Sequence, residues 1–306
     1  MLKYLYRNAI MRLEYSVRGF YMKINLPKKE KISAKAVIIY TSSIITCVIA
    51  IIIIGLSIYY GSDELDRLIT IGGSSLTKKD EEYQLLESNF DNLFQNHLEE
   101  YNTDIYIKKI DGAQDLVYTY YTKDENKKNS YDMNLNIPYI NIDNETIATY
   151  NEEIKQTYEE KSEEILQTEN ENIIYTLQYE ATIENDILSL IIKVNLKEGA
   201  NAQRLIIQTF NYDLRNHKEI TLEEFLNLKQ LNLVEVQNKI DEEIQIEYKR
   251  VEDLRSLGYK IFERNPENDM YKIKNSQEFF VKDGNIYIIY AYGNEELTTE
   301  MDLVII

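Results

Sequence analysis

A single cysteine, two histidines, three prolines, ten glycines and no tryptophan occur in 306 residues. One cysteine excludes an internal disulfide, so the fold must be held by its apolar core even where an oxidising compartment would permit bridges. The histidines, His97 and His217, lie far apart in sequence, which excludes the closely spaced pair that zinc hydrolases use. With so little glycine there is no G-x-G-x-x-G, no G-x-x-x-x-G-K-[ST] and no G-x-S-x-G, so dinucleotide, phosphate-loop and serine-hydrolase chemistry lack their sequence signatures. Positive charge is short as well: 34 Lys and Arg stand against 52 Asp and Glu, a net charge of −18. A chain this acidic is a poor partner for nucleic acid and suits a cationic partner or none.

What is present is unevenly distributed. Residues 36–60, "AVIIYTSSIITCVIAIIIIGLSIYY", contain no charge and no proline. A bilayer core needs about 20 apolar helical residues to be crossed, so this stretch is expected to be a transmembrane helix. Before it stand Lys3, Arg7, Arg12, Arg18, Lys23, Lys28, Lys29, Lys31 and Lys35 against only Glu14 and Glu30. Lysine and arginine beside a span favour the cytoplasmic side. The expected topology is therefore a cytoplasmic N-terminus and an extracellular C-terminal domain at the cell membrane. A cleaved signal would have a shorter apolar core and an A-x-A-like site, which "IYYGSDELD" does not offer. Cys47, mid-span, reads as a small apolar helix residue.

Four regions are expected. Residues 1–35 form a short basic cytoplasmic segment, which either lies on the inner leaflet or docks on a cytoplasmic protein. Residues 36–60 span the membrane. Residues 61–101 comprise a juxtamembrane linker, flexible at Gly72, Gly73, Ser74 and Ser75, and an amphipathic helix suggested by Leu85, Leu86, Phe90, Leu93, Phe94 and Leu98. Residues 102–306 form an α+β domain.

Within that domain "DIYIKKI" and "DLVYTYY" read as a hairpin followed by a solvated loop, "TKDENKKNSYD". A long charged helix begins at a cap, Asp143 or Asn144, with Ile147, Tyr150, Ile154, Tyr158 and Ile165 on one side. Three strands follow as an antiparallel meander: "IIYTLQYEATIE", "ILSLIIKVNL" and "RLIIQTFNYDL". Thr221 and Glu224 make a capping-box pattern, and a second helix is expected over about 231–250. A hairpin turns at Asp283 and Gly284, and "MDLVII" closes the chain as a strand. Strands pairing locally with helices inserted as blocks define α+β, with an antiparallel sheet packed with helices.

The order of helix, meander, "NYDLRNHKEITLEEFL", helix and "FVKDGNIYIIYAYGNEELTTEMDLVII" resembles the extracytoplasmic domain of the RsiV-like, lysozyme-sensing anti-sigma factors. That domain is also the non-catalytic region of peptidoglycan deacetylase C. The pattern YDL…(K)x(I/L)TLx(D/E)(L/F)F is matched by Tyr212, Asp213, Leu214, Glu219, Ile220, Thr221, Leu222 and Phe225. "IPYINIDNETIATYNEEIKQTY" is similar to the family's first helix, and the likeness covers about residues 102–306. The sequence departs from the family at "EGANAQ", where Asn201 stands in place of a histidine, and at "YGNEELTTEM", which replaces a Tyr-Glu-(Ile/Val)-Ala-Pro-Tyr run. The resemblance implies an extracellular protein ligand such as lysozyme, a cytoplasmic sigma factor held by the inner segment, and proteolysis near the membrane once ligand binds.

The residues themselves offer no catalytic, cofactor-binding or metal-ligating set, and do not single out those that touch a ligand. The carboxylate pairs Glu152/Glu153, Glu159/Glu160, Glu163/Glu164, Glu223/Glu224, Glu242/Glu243 and Glu295/Glu296 read as solvated helix faces rather than a glycosidase dyad. Of 26 tyrosines, Tyr118, Tyr120, Tyr121, Tyr175, Tyr179, Tyr287, Tyr290 and Tyr292 lie on or beside expected strands, where they suit sheet packing or a binding surface. The expected function is a non-enzymatic, single-pass sensor or regulator; the alternative is an anchored cell-envelope binding module without signalling.

Overall fold

The computed structural model describes residues 85–99, 103–167 and 172–306. The basic head, the span 36–60 and the Gly72 to Ser75 linker lie outside the described residues. Among the described residues, no helix is long and apolar enough to cross a membrane.

The described chain is a mixed α+β assembly built on two sheets. The larger has six strands in sequence order: β1 (Val117–Lys127), β2 (Tyr131–Ile140), β3 (Ile173–Glu184), β4 (Ile187–Lys197), β5 (Arg204–Asp213) and the short β6 (Lys218–Glu219). The smaller contains β7 (Glu278–Lys282), β8 (Asn285–Ala291) and β9 (Met301–Ile305), all antiparallel. Between β2 and β3 runs a continuous helical stretch: α1 (Glu145–Ile154), a wide π turn (Lys155–Glu159) and α2 (Glu160–Gln167). Between β6 and β7 come α3 (Leu222–Leu228) and α4 (Leu233–Ser256).

The meander, both helix caps and the last hairpin follow the sequence expectation for local reasons. Asn185 and Asp186 both take positive φ in the two-residue turn joining β3 to β4, the geometry that matches strand twist. Asn144 accepts the Thr146 N–H at the start of α1. Thr221 and Glu224 exchange both capping hydrogen bonds at the start of α3, and Asp283 with Gly284 turns β7 into β8.

Three expectations need correction. The first hairpin is β1 with β2, not residues 104–110 with β1; the polar "TKDENK" is strand, not loop. As the outer strand of the sheet, β1 needs only one apolar face, and its bulge at Tyr120 lies beside the Thr119 and Pro138 pair, a position that tolerates proline. The sheet is also not wholly antiparallel: β2 and β3 pair in parallel, which requires the α1 and α2 crossover. Residues 85–99 do not form one amphipathic helix. A helical turn at 85–88 leads to a 3-10 turn (Phe90–Leu93), then Asn96 takes φ 58° and the chain runs extended. Phe90 and Phe94 still meet edge to face, 5.6 Å apart, because both enter one crevice between the sheets.

Packing follows from strand alternation. One face of the large sheet, with Tyr179, Leu190, Phe210 and Tyr212, is covered by Ile147, Tyr150, Ile154 and Tyr158 of the α1 to α2 stretch. The other presents Ile191 and Ile207 to Phe280, Tyr287, Ile289 and Leu303 of the small sheet, with Phe90 and Phe94 between them. The outer face of the small sheet, including Phe279, Ile288 and Val304, packs on Phe225, Leu226, Val236 and Ile240 of α3 and α4. Buried Arg264 fastens the loop after α4: it donates to both Asp302 oxygens at 2.9 and 3.1 Å and to Glu300 at 2.5 Å, with its guanidinium 4.6 Å from the Tyr292 ring centroid.

The two sheets share an unusual seam. On β5 the outward backbone groups at 205, 207, 209 and 211 have no long neighbouring strand. Thr298 O accepts from Leu205 N (2.9 Å), the Asn294 amide bonds both Ile207 N and Ile207 O, Glu278 accepts from Thr209 N (2.6 Å), and Ile220 N donates to Asn211 O (2.9 Å). Conversely, β7 is served by the large sheet. Phe279 N donates to Thr209 Oγ1, Asn211 Nδ2 donates to Phe279 O, Val281 N donates to Ser189 Oγ, and Thr182 Oγ1 donates to Val281 O. Gly293 sits where this seam is tightest, since a Cβ there would lie 1.8 Å from Leu205 O and 2.6 Å from Thr298 O. Both obstacles are backbone. Gly293→Ala is therefore expected to destabilise by about 3 kcal/mol or more, read as a fall in the denaturant midpoint of the full chain; an unchanged midpoint would contradict this geometry.

Candidate functional site between the first helix and β5

A recess of about 460 Å³ opens where α1 passes the outer edge of the large sheet, within the usual size range of small-ligand clefts. Glu145, Thr146, Thr149, Tyr150 and Glu153 of α1 form one wall, Gln208, Thr209 and Phe210 of β5 the other, and Glu219 of β6 closes one end. The α1 positions fall at helical spacing and so share one side of the helix. That helix is held in place by buried Asn151, whose side chain accepts from Ile140 N (2.9 Å) and donates to Ile140 O (2.8 Å). Below, the Tyr158 hydroxyl donates to Gln208 Oε1 at 2.6 Å. Because β6 is only two residues long, the β5 backbone beside the recess is answered by Glu278 and Asn294 rather than by a strand.

The electrostatics are one-sided. Glu145, Glu153 and Glu219 are exposed at the rim and make no ion pair among the described residues. At the floor, Tyr150 and Phe210 stack at 4.0 Å with an interplanar angle of 18°. Tyr150 is only 7% exposed and its hydroxyl is without a hydrogen-bond partner among the described residues. Burial pushes that hydroxyl well above its ordinary pKa, and the charges of Glu278, Glu219 and Glu153 add to the effect. Beneath the edge, Glu278 is pushed up to about 7 by burial, against the pull of the two Thr209 donors on its carboxyl. A cleft with unneutralised acid at its rim and apolar rings at its floor can hold an organic cation.

A second polar cluster lies where residues 95–99 meet β3. Leu98 bridges Ala181 in parallel, Asn96 N donates to Tyr179 O, and Glu99 N donates to Ala181 O. Here His97 Nδ1 is 3.2 Å from Glu180, while Lys282 bonds Glu180 at 3.0 Å and also Glu99. The His97, Glu99 and Glu180 atoms lie within 4.8 Å of one another, as a metal site would require. The Lys282 ammonium already supplies the cation these carboxylates need, so the cluster is an ion-pair fastening. Burial raises the Glu180 pKa, offset by hydrogen bonds from Lys282 and Gln95 N.

His217 stands in an exposed turn at φ 56°. The six carboxylate pairs lie on exposed or half-exposed surfaces, and among their members only Glu153 reaches the cleft. Tyr175, Tyr179, Tyr287, Tyr290 and Tyr292 are core, whereas Tyr118, Tyr120 and Tyr121 are half-buried on β1. Sequence reasoning missed the cleft as a site. Tyr150 was visible only as a core-facing helix position and Glu219 only within the resembling pattern, while Glu278 has no local signal at the head of an apolar strand.

No family model matches the chain, and no curated protein matches it. Its structural neighbours include DUF3298 family proteins. One, from Pseudomonas aeruginosa, is 12% identical with a TM-score of 0.36, covering 66% of this chain and 90% of that one. Another, from Bacteroides fragilis, is 11% identical with a TM-score of 0.33, covering 57% and 81%.

Two outcomes follow from the charges. Because folding raises the Glu278 pKa, the native state holds this proton more tightly than the unfolded chain. The associated stability is complete below about pH 4.5 and lost as pH rises through about 7. The loss is on the order of 3 kcal/mol. Glu278→Gln, which keeps an acceptor for Thr209, is expected to flatten the stability profile between pH 5 and 8 by about that amount, and an unchanged profile would contradict the burial of this carboxyl. Lys282→Met leaves Glu180 buried without its ammonium and is expected to cost about 3 kcal/mol, measured by chemical denaturation.

Proposed function

We propose that this chain is a single-pass membrane sensor or regulator, with residues 1–35 cytoplasmic, residues 36–60 in the membrane and the acidic domain outside. The outer domain receives an extracellular, positively charged ligand, and the basic inner segment passes its state to a cytoplasmic partner in the manner of an anti-sigma factor. The observation that carries this reading is the open recess beside β5, whose rim carboxylates have no cation of their own among the described residues. Unpaired rim charge attracts and orients an oppositely charged partner. The charge divide across the apolar stretch supports the topology, and the resemblance over residues 102–306 supports a cationic wall-active protein such as lysozyme as ligand and a sigma factor as inner partner.

The test uses two baits in living cells, the full-length protein and a form lacking residues 1–30. A sigma factor recovered with the first and not the second is the expected result. Its recovery with neither, together with unchanged transcription after the deletion, would overturn signalling and favour an anchored envelope-binding module.

A further inference from the structure

The described chain enters the domain at one end of the large sheet. Strand register gathers the β1 to β2 turn, the end of β4 and the start of β5 at that end, since Tyr131 pairs with Lys127 and Ile173, Ile174 with Lys197, and Leu196 with Arg204. From there the chain travels toward the other end: Lys193 pairs with Asp91, Asn96 N donates to Tyr179 O, and Thr103 donates to Asp186 in the β3 to β4 turn. The long helix α4 points back to the entry end. The helix before it lies near the far end, where Lys229 feels the charge of Glu184. Further along, Glu243, Glu247 and Arg250 of α4 act on Glu87. After α4, Phe262 N and the Arg264 side chain both donate to Glu300, close to the Thr298 carbonyl that receives Leu205 N at the start of β5.

At this end α4 outruns the domain. Val251 is its last buried residue, and residues 255–260 are exposed without a break. With a rise of about 1.5 Å per residue, Leu257 stands roughly 9 Å past Val251. A glycine cap fixes the tip: Gly258 takes φ 93°, its N–H reaches Arg255 O at 2.9 Å, and Tyr259 N reaches Leu254 O at 3.2 Å, the double closure of a Schellman turn. Leu257 is 74% exposed and Tyr259 62%. Single exposed apolar residues are ordinary, but these two share a rigid turn with charge of the chain's minority sign. Residues 249–260 hold Lys249, Arg250, Arg255 and Lys260 against Glu252 and Asp253, in a chain of net charge −18. Arg250 is paired with Glu247 and Arg255 with Glu263, whereas exposed Lys249 and Lys260 make no ion pair among the described residues.

Apolar side chains that can enter an interface, with free ammonium groups beside them to meet phosphate, are what an anionic lipid surface accepts. An acidic domain is repelled by such a surface, but salt screens that repulsion over about 10 Å, so a projection of this length brings one point within reach. We propose that the tip of α4 rests on the anionic outer face of the membrane that holds the chain, with Leu257 and Tyr259 in the headgroup layer and Lys249 and Lys260 on lipid phosphate. The assignment rests on reading residues 36–60 as the span and the domain as lying outside. Residues 61–84, 24 in number, reach at most about 80 Å. That tether keeps the tip at high effective concentration over the leaflet, so a few contacts suffice. The contact turns the Asp186 end of the sheet away from the membrane.

The chain has no tryptophan, so Y259W places a single reporter at the tip of full-length protein reconstituted in vesicles of mixed phosphatidylcholine and phosphatidylglycerol. The control is Y106W, at a position 88% exposed and close in sequence to Thr103 at the far end. Brominated acyl chains are expected to quench Y259W emission by about twofold or more and to leave Y106W unchanged. The quenching is expected to vanish in phosphatidylcholine alone and in Y259W/K249Q/K260Q, whose exposed positions leave the melting temperature unchanged. The proposal is overturned if Y259W is quenched no more than Y106W, if phosphatidylcholine alone gives the same quenching, or if the lysine variant is quenched like its parent. It is also overturned if Y259W emission shifts to the blue with protein density and not with bromine, the result expected if a second copy covers the tip. An alkaline carbonate wash reads the anchor separately. A chain retained by the wash with Y259W unquenched loses the tip contact and keeps the anchor. A chain stripped by the wash, with Y259W quenched beforehand, loses the anchor and keeps the tip contact.

Discussion

Everything in this domain turns on how two sheets meet without sharing a ladder. A strand that lies against another layer cannot leave its backbone N–H and C=O groups unanswered. Here the answer on both sides is mostly side chains: Asn294 and Glu278 serve β5, while Thr182, Ser189, Thr209 and Asn211 serve β7. The four large-sheet residues reach β7 because their strands are in register, Thr182 opposite Ser189 and Ser189 opposite Asn211. A one-residue slip would turn these polar groups to the helix-covered face. Register, layer order and the position of Gly293 are thus one constraint seen three times.

The cleft is a by-product of the same arrangement. Along β5, substitution by the small sheet ends at Glu278 and strand pairing resumes only at β6, and the recess lies between this stretch and α1. Glu278 belongs to both features. It caps a backbone donor at the seam, and its charge reaches the Tyr150 hydroxyl at the floor of the recess.

Much of the architecture was legible because it depends on local rules. The turn at Asn185 and Asp186, the capping box at Thr221 and the alternation of β3 to β5 each carry their own signal. What misled was geometry that different structures share. Phe90 and Phe94 are spaced as on a helix, yet a 3-10 turn followed by extended chain delivers both rings to one crevice. The second half of β1 is polar because an edge strand tolerates polarity, so it read as a loop. The parallel β2 and β3 pairing and the cleft join segments far apart in sequence, and no local pattern announces either. Asn151, which places α1 through the Ile140 backbone, carries no local signal of that role.

Residues 90 and 94 are among the first of the described domain in chain order, yet their burial partners Phe280, Tyr287, Leu303 and Ile305 are among the last. Contacts so distant in sequence form slowly, after shorter loops have closed. The two phenyl rings therefore reach full burial only once the final strands are in place, so the first described turn and the last hairpin close one crevice from opposite ends of the domain's sequence.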